Sequence, residues 1–211
     1  MRAIATALLL LAQAQDRWEK DIAAFEARDK ESPPAPGGIA FIGSSTIRLW
    51  KTKESFPDLP VVNRGFGGSQ IADSVRTADR ILLPLKPRLV LLFAGGNDIH
   101  AGKSPEQVFE DYKSFVAKIH GALPGTRVLF MSLFPNVARA AEDGKCQALN
   151  RLIEAHARTD PRLGYVDVAT ALRGPDGKAR PELLLKDGLH LNEEGYKVVT
   201  GIVRPRLEPA N

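Results

Sequence analysis

The chain has 211 residues, of which 44% are hydrophobic and 26% charged, with a formal net charge of +4 at pH 7. These values are ordinary for a soluble one-domain protein and exclude a disordered, collagen-like or coiled-coil chain. The basic residues are spread along the chain without a basic stripe, so we do not expect a nucleic-acid partner. The single cysteine, Cys146, excludes an intrachain disulfide and a cysteine-based zinc site.

The first fourteen residues have the pattern of a secretory signal peptide. A positive start is followed by an almost entirely apolar stretch over residues 3–12 and by the small-x-small sequence Ala12-Gln13-Ala14. A bilayer span needs about 20 apolar residues, so no stable membrane insertion is expected. We predict cleavage near Ala14, a periplasmic or secreted location, and a single domain over residues 15–211. The alternative is that the first residues simply begin a helix.

Short apolar runs alternate with amphipathic segments along the rest of the chain. Helices are predicted over residues 15–31, 46–50, 70–83, 105–122 and 143–158, with a last one from Asn192. Strands are predicted at residues 39–42, 61–62, 88–93, 127–131 and 165–168. Buried strands alternating with helices predict an α/β fold with a parallel sheet covered on both faces. Ligands of such folds bind beyond the carboxyl ends of the strands.

Reactive groups follow several of these predicted strands. Ser45 lies where a strand turns into a helix, and Gly68 and Asn97 follow later strands. Asp187 and His190 lie three residues apart in a late loop. A serine needs a base to take its proton, and a histidine base needs a carboxylate that fixes its tautomer. Backbone and amide N–H groups can then stabilise a developing oxyanion.

Four sequence blocks resemble those of the SGNH (GDSL-type) hydrolases, a family of esterases and lipases. In chain order they are Phe41-Ile42-Gly43-Ser44-Ser45, Asn63-Arg64-Gly65-Phe66-Gly67-Gly68, Gly95-Gly96-Asn97-Asp98 and Asp187-Gly188-Leu189-His190. The resemblance extends over about residues 39–200. It implies a three-layer α/β/α, flavodoxin-like parallel sheet, with no metal and no cofactor.

The resemblance also implies roles for individual residues. Ser45 corresponds to the nucleophile, with His190 and Asp187 completing a Ser-His-Asp triad. Ser45, Gly68 and Asn97 correspond to the donors of the oxyanion hole. The expected activity is hydrolysis of small acyl esters, acetyl esters above all, of a small-molecule, carbohydrate or phospholipid alcohol. Nothing in the pattern assigns an oligomeric state.

The first block departs from the family pattern at two positions. Ser44 stands where the family has aspartate, so Ser44 is a rival candidate for the nucleophile. The chain also lacks the final glycine of a Gly-x-Ser-x-Gly elbow, because Ile47 occupies that position. This difference argues against an ordinary α/β-hydrolase.

Three further residues at strand ends are candidates for contact with substrate, namely His100, Arg64 and Asn136. For Arg64 and Asn136, a role in holding the loops is the stronger alternative. Trp50 is expected to belong to the core.

Other functions remain open from the residues alone. Asp98 and His100, together with Asp187 and His190, offer the ligand types of a metal-dependent phosphoesterase. Residues 65–70 are glycine-rich as in a phosphate-binding loop, although the third glycine and a P-loop lysine are missing. A non-catalytic, carbohydrate-binding family member would require the three triad residues to be misaligned.

Overall fold

The computed structural model describes residues 17–208, so the predicted signal peptide lies outside the described residues. Within that range, five strands form one parallel sheet in the order β2-β1-β3-β4-β5. They are β1 (Ile39–Gly43), β2 (Val61–Gly65), β3 (Leu89–Phe93), β4 (Arg127–Met131) and β5 (Leu163–Val166). β1 and β3 are buried along their whole length, as their continuous apolar sequences predict.

Eight α-helices accompany these strands in the described part of the chain. They are α1 (Glu19–Glu31), α2 (Ser45–Leu49), α3 (Thr52–Ser55), α4 (Ile71–Ile81), α5 (Gly96–His100), α6 (Pro105–Ala122), α7 (Asp143–Ala157) and α8 (Glu193–Leu207). The start of α6 has the predicted capping box. The Ser104 hydroxyl accepts from the Gln107 amide, and the Gln107 side chain accepts from the Ser104 amide.

The chain passes from β1 to β2 on one side and then returns past β1 to β3, β4 and β5 on the other. Because such parallel crossovers are right-handed, this reversal of direction places helices on both faces of the sheet. On one side, α1, α4, α6 and α7 pack in succession. The other layer holds α2, α3 and α8. There the Tyr196 hydroxyl of α8 donates to the carbonyl of Thr46 at 2.8 Å, and the Tyr196 ring packs on Trp50. The predicted three-layer α/β/α, flavodoxin-like fold is thus confirmed.

The element bounds differ from the predictions in several places, and β2 extends to Gly65 beyond the predicted residues 61–62. The last strand begins at Leu163 and ends at Val166, rather than spanning 165–168. Helices α3 and α5 were not predicted, because helices of four and five residues are too short to show a hydrophobic period. Trp50 is 2% exposed and packs against Phe41 and Phe56, as expected for a core residue. Between residues 17 and 208, no helix is both long and apolar enough to cross a membrane.

Candidate active site

Ser45 is the first residue of α2 and lies just beyond the carboxyl end of β1. The preceding turn depends on Gly43, whose φ is 140°. A Cβ atom on Gly43 would lie 1.9 Å from the carbonyl oxygen of Phe93, so only glycine lets β1 and β3 approach this closely. The Ser44 amide donates to that same carbonyl at 3.0 Å. These contacts fix the turn that carries Ser45.

The side chains of Ser45, His190 and Asp187 form a continuous hydrogen-bonded chain. The Ser45 hydroxyl lies 2.8 Å from His190 Nε2, and His190 Nδ1 lies 2.6 Å from Asp187 Oδ2. With a proton on Nδ1, the imidazole donates to the carboxylate, and Nε2 is free to accept from the serine. Ser44, the rival candidate, is buried at the end of β1, and its hydroxyl makes no contact of this kind within the described residues. The structure therefore brings Ser45, rather than Ser44, to the histidine.

The Asp187 carboxylate is held by three donors. The imidazole of His190 donates to Oδ2, and the backbone amides of Leu189 and His190 donate to Oδ1 at 2.9 and 3.0 Å. These hydrogen bonds, led by the one from the imidazole, lower the pKa of Asp187 to about 2. The carboxylate is thus ionised at neutral pH and orients the ring.

The loop that carries Asp187 and His190 is fastened to the segment after β4. Gly188 has φ of 65°, and its carbonyl accepts from the amides of Val137 and Ala138 at 2.8 and 3.0 Å. A Cβ atom on Gly188 would lie 3.1 Å from Val137 Cβ. The loop is thereby tied to the core sheet, although it is remote from β4 in sequence.

Gly68 and Asn97, the two other residues expected to supply oxyanion donors, lie in the same cleft as Ser45. Gly68 adopts φ of 77°, a conformation that favours glycine, and it lines the same cleft as Ser45. The Asn97 side-chain amide uses one N–H to donate to the Ser69 carbonyl at 3.0 Å. Its second N–H is not used by this contact. Arg139 donates to Asn97 Oδ1 at 3.1 Å, which fixes which way the amide points.

Asp98 connects the segments that carry these two groups. Its side chain is fully buried and accepts from the Ile71 amide, at the start of α4, at 3.2 Å. It also accepts from Lys103 Nζ at 3.1 Å, and Lys103 in turn contacts Asp111 at 2.7 Å. Burial raises the pKa of Asp98, whereas the contact with Lys103 opposes that rise. Asp98 thus serves the architecture of the site rather than facing the cleft.

Two cavities meet at Ser45 and His190. The smaller has a volume of about 50 Å³, and apolar side chains including Phe93, Leu133 and Phe134 form much of its wall. The larger is an open cleft of about 450 Å³ with a mostly polar wall. An ester carbonyl at Ser45 would therefore direct one substituent into a small apolar chamber and the other toward open solvent.

The three candidates for contact with substrate, Arg64, His100 and Asn136, lie in different places relative to the cavities. Arg64 is 3% exposed and lines neither cavity; its guanidinium pairs with Asp29 of α1 and donates to the Ile81 carbonyl. The structure thus does not bring Arg64 to the site, and it holds α1 to the sheet instead. His100 also lines neither cavity, and its Nδ1 lies 2.7 Å from Glu142 instead. Asn136 lines the small cavity, and its side chain also accepts from the Arg139 amide.

Sequence reasoning missed three arginines, Arg17, Arg48 and Arg139, which line the open cleft. Arg17 lies in the turn just before α1, Arg48 lies in α2, and Arg139 comes from the loop after β4. None belongs to a recognised block. The one sequence signal for a role in the site is their position near strand ends. Basic residues are common at such positions, so this signal does not single them out.

The ligand types proposed for a metal site do not converge. Asp98 contacts Lys103 and the Ile71 amide, whereas His100 contacts Glu142. Over residues 17–208, no group of three or more histidine, cysteine, aspartate or glutamate side chains is arranged to hold a metal ion.

Comparison with known proteins identifies relatives of the chain. The sequence model of the GDSL-like Lipase/Acylhydrolase family matches residues 48–198. GDSL esterase/lipase WDL1 of Oryza sativa subsp. japonica is 27% identical over 202 residues, covering 79% of this chain and 76% of the rice protein. The family match begins after Ser45, so the assignment of that residue depends on the hydrogen-bond geometry.

Solved structures share the fold. A Streptococcus pneumonia protein named for platelet activating factor is 24% identical, with a TM-score of 0.83 over 97% of this chain and 99% of that one. An acetyl-xylooligosaccharide esterase from Geobacillus is 15% identical, with a TM-score of 0.67 over 84% of this chain and 97% of that one. Since the family model matches well over half of its residues, the chain belongs to the GDSL-like lipase/acylhydrolase family and is a carboxylic ester hydrolase.

Proposed function

We propose that the protein is a serine esterase that removes small acyl groups, acetyl above all, from a carbohydrate or phospholipid alcohol. The observation that carries this proposal is the unbroken contact from Ser45 through His190 to Asp187, with distances of 2.8 and 2.6 Å. These distances are those of working hydrogen bonds, and they argue against a non-catalytic member with a misaligned triad.

In the first half of the reaction, Ser45 Oγ attacks the ester carbonyl while His190 Nε2 takes the hydroxyl proton. The resulting imidazolium is stabilised by the ionised carboxylate of Asp187. Collapse of the tetrahedral intermediate breaks the bond to the alcohol oxygen, which takes the proton from Nε2 and leaves. In the second half, water attacks the acyl-enzyme with His190 as base, and the carboxylic acid and free serine are regenerated.

The negative charge of the tetrahedral intermediate needs donors that are already in place. We assign this role to the backbone amides of Ser45 and Gly68 and to the free side-chain N–H of Asn97. The contacts of Asn97 with Ser69 and Arg139 support the assignment, because they immobilise the amide before substrate arrives. Each donor lost from such a site typically costs about a hundredfold in kcat.

The small cavity supports a short acyl group. Its volume is about 50 Å³, and a single water needs roughly 10–15 Å³ of such space. An acetyl or propionyl group therefore fits, whereas an octanoyl chain does not. The Geobacillus neighbour acts, by its name, on acetylated xylooligosaccharides, so the shared fold is compatible with an acetyl substrate.

The test compares Ser45→Ala with Ser44→Ala on p-nitrophenyl acetate. Ser45→Ala should lower kcat by about a thousandfold or more, because the nucleophile is lost. Ser44→Ala, a matched change at the adjacent residue, should keep most of the activity. A fluorophosphonate should add to Ser45, as mapped by peptide mass spectrometry. Full turnover by Ser45→Ala would refute the proposal.

We also propose that the protein is exported, with cleavage near Ala14. This proposal depends on the apolar stretch and the small-x-small sequence at the start of the chain. The intact mass of protein recovered from the periplasm or medium should correspond to a chain that begins at Gln15. A full-length mass confined to the cytoplasm would contradict it.

A further inference from the structure

The open cleft beside Ser45 has a strongly positive wall. Arg17, Arg48 and Arg139 line it, and Asp21 is the one carboxylate-bearing side chain among the described residues that form this wall. We call the part of the cleft formed by these three arginines the arginine cleft. Since the small apolar cavity suits the acyl group, the arginine cleft is where the alcohol part of an ester must lie.

Each guanidinium is placed close to Gly68 or Asn97, which are assigned to the oxyanion hole, or to Gly67 beside them. Arg17 approaches Gly68 so closely that a Cβ atom there would lie 2.9 Å from its Nη2. Arg48 is similarly close to Gly67, because a Cβ atom on Gly67 would lie 2.9 Å from Arg48 Nε. Arg139 donates to Asn97 Oδ1. The three positive charges therefore surround the reacting centre from different elements of the fold.

These arginines differ from most others in their lack of carboxylate partners. Arg80 and Arg173, for example, are each paired with carboxylates at 2.6 to 2.8 Å. Within residues 17–208, no carboxylate oxygen lies within 4.0 Å of the guanidinium of any arginine of the cleft. Arg17 is instead placed over the ring of Trp18, at 4.8 Å from its centre. Their charge is thus available to a ligand.

We propose that the arginine cleft binds an oxyanion on the alcohol part of the substrate, so that the preferred substrates are acyl esters of phosphorylated or carboxylated alcohols. The inference rests on the proposed esterase function and narrows its substrate class. Guanidinium groups bind phosphate and carboxylate through paired N–H donors, which a neutral sugar cannot match. A neutral alcohol would leave three positive charges in the cleft without a partner.

The test compares matched esters that differ only in the anion. One pair is 4-acetoxybenzoate and its methyl ester, and the other is acetylglycerol 3-phosphate and monoacetylglycerol. The wild-type protein should prefer the anionic member of at least one pair by about tenfold in kcat/KM. A preference in the first pair only indicates a carboxylate ligand, and one in the second pair only indicates a phosphate. High salt should reduce the preference, because exposed charges are screened.

Variants then locate the preference. Arg48→Gln and Arg17→Gln should each bring the ratio of anionic to neutral kcat/KM toward one. Arg158→Gln, an identical change at an exposed arginine of the segment after α7, should leave the ratio as in the wild type. A wild-type ratio of one or less in both pairs would overturn the inference, as would equal effects of Arg48→Gln and Arg158→Gln.

A binding measurement separates this inference from the esterase proposal. Ser45→Ala cannot form an acyl-enzyme, so calorimetry on this variant reports binding of unreacted acetylglycerol 3-phosphate and of monoacetylglycerol. Tighter binding of the phosphorylated ester to this inactive variant supports the arginine cleft without any measurement of turnover. Equal binding of the two esters, together with Ser45-dependent turnover, would refute the anion site and leave the esterase proposal intact.

Discussion

Asp98 connects the segment that carries Gly68 to the segment that carries Asn97. Its replacement should therefore lower both the stability of the fold and the rate of ester turnover. It accepts a hydrogen bond from the Ile71 amide, a few residues after Gly68, and it directly follows Asn97. Asp98→Ala leaves that buried amide without an acceptor, which costs about 1–3 kcal/mol. Loss of the contact with Lys103 adds about 1 kcal/mol, because Lys103 keeps Asp111 as a partner.

The total of about 3 kcal/mol should lower the melting temperature by roughly 6–12 °C for a chain of this size. Asp98→Asn keeps a side-chain oxygen for the Ile71 amide and should lose about half as much. Thermal unfolding followed by circular dichroism measures both values. At a temperature where both variants are folded, Asp98→Ala should also lower kcat for p-nitrophenyl acetate by about tenfold or more, since oxyanion donors shifted by a fraction of an ångström stabilise the intermediate less.

Asp111→Asn is the matched control, because it changes an aspartate of the same network that touches neither Ile71 nor Asn97. It should shift the melting temperature by a few degrees at most and leave kcat near the wild-type value. If Asp98→Ala melts within about 1 °C of the wild type, or loses no more activity than Asp111→Asn, the reasoning is wrong.

Three further predictions concern the titration, stability and selectivity of the protein. The pKa of Asp187 is lowered to about 2 in the folded protein. The carboxylate is therefore fully ionised above about pH 4, and its contribution to the free energy of unfolding is lost as the pH falls toward 2. The acid limb of kcat/KM above pH 4 should therefore fit a single ionisation, and a two-proton limb would contradict the assignment. Gly201 lies inside α8 with open space around its missing Cβ, so Gly201→Ala should add about 0.5–1 kcal/mol to the free energy of unfolding in a urea titration. Phe134 stacks on Phe93 in the small cavity. Phe134→Ala should raise the ratio of butyryl to acetyl kcat/KM while destabilising the fold by about 3 kcal/mol, and an unchanged ratio would argue against an acyl cavity.

The fold was predictable from the sequence because its signals are local. β3 is a continuous apolar run, and α6 begins with a capping box that the side chains of Ser104 and Gln107 complete. Asp187 and His190 were predictable as a pair, since a spacing of three residues in a tight loop brings them together. Their contact with Ser45 was expected from the resemblance and from the rule that strand ends gather ligand-binding groups.

The environment of the site was less predictable, because it depends on contacts between distant residues. The hydrogen bond from Arg139 to Asn97 joins residues 42 apart in the sequence, and no motif marks it. Arg64 was a candidate for substrate contact because it stands near the end of β2, although a role in holding the loops was the stronger alternative. Its side chain faces α1, where Asp29 neutralises it. Alternation along a strand means that adjacent residues face opposite sides, and sequence alone does not say which side a strand end presents.

The hydrogen bond between Ser45 and His190 joins residues that are 145 positions apart in the sequence. Such a separation means that the two residues meet only after the sheet, its covering helices and the late loop have all assembled. A chain that is still emerging from the ribosome therefore lacks the contact between Ser45 and His190. Ester turnover should consequently report completed folding, and it should return after refolding no earlier than the slowest spectroscopic phase.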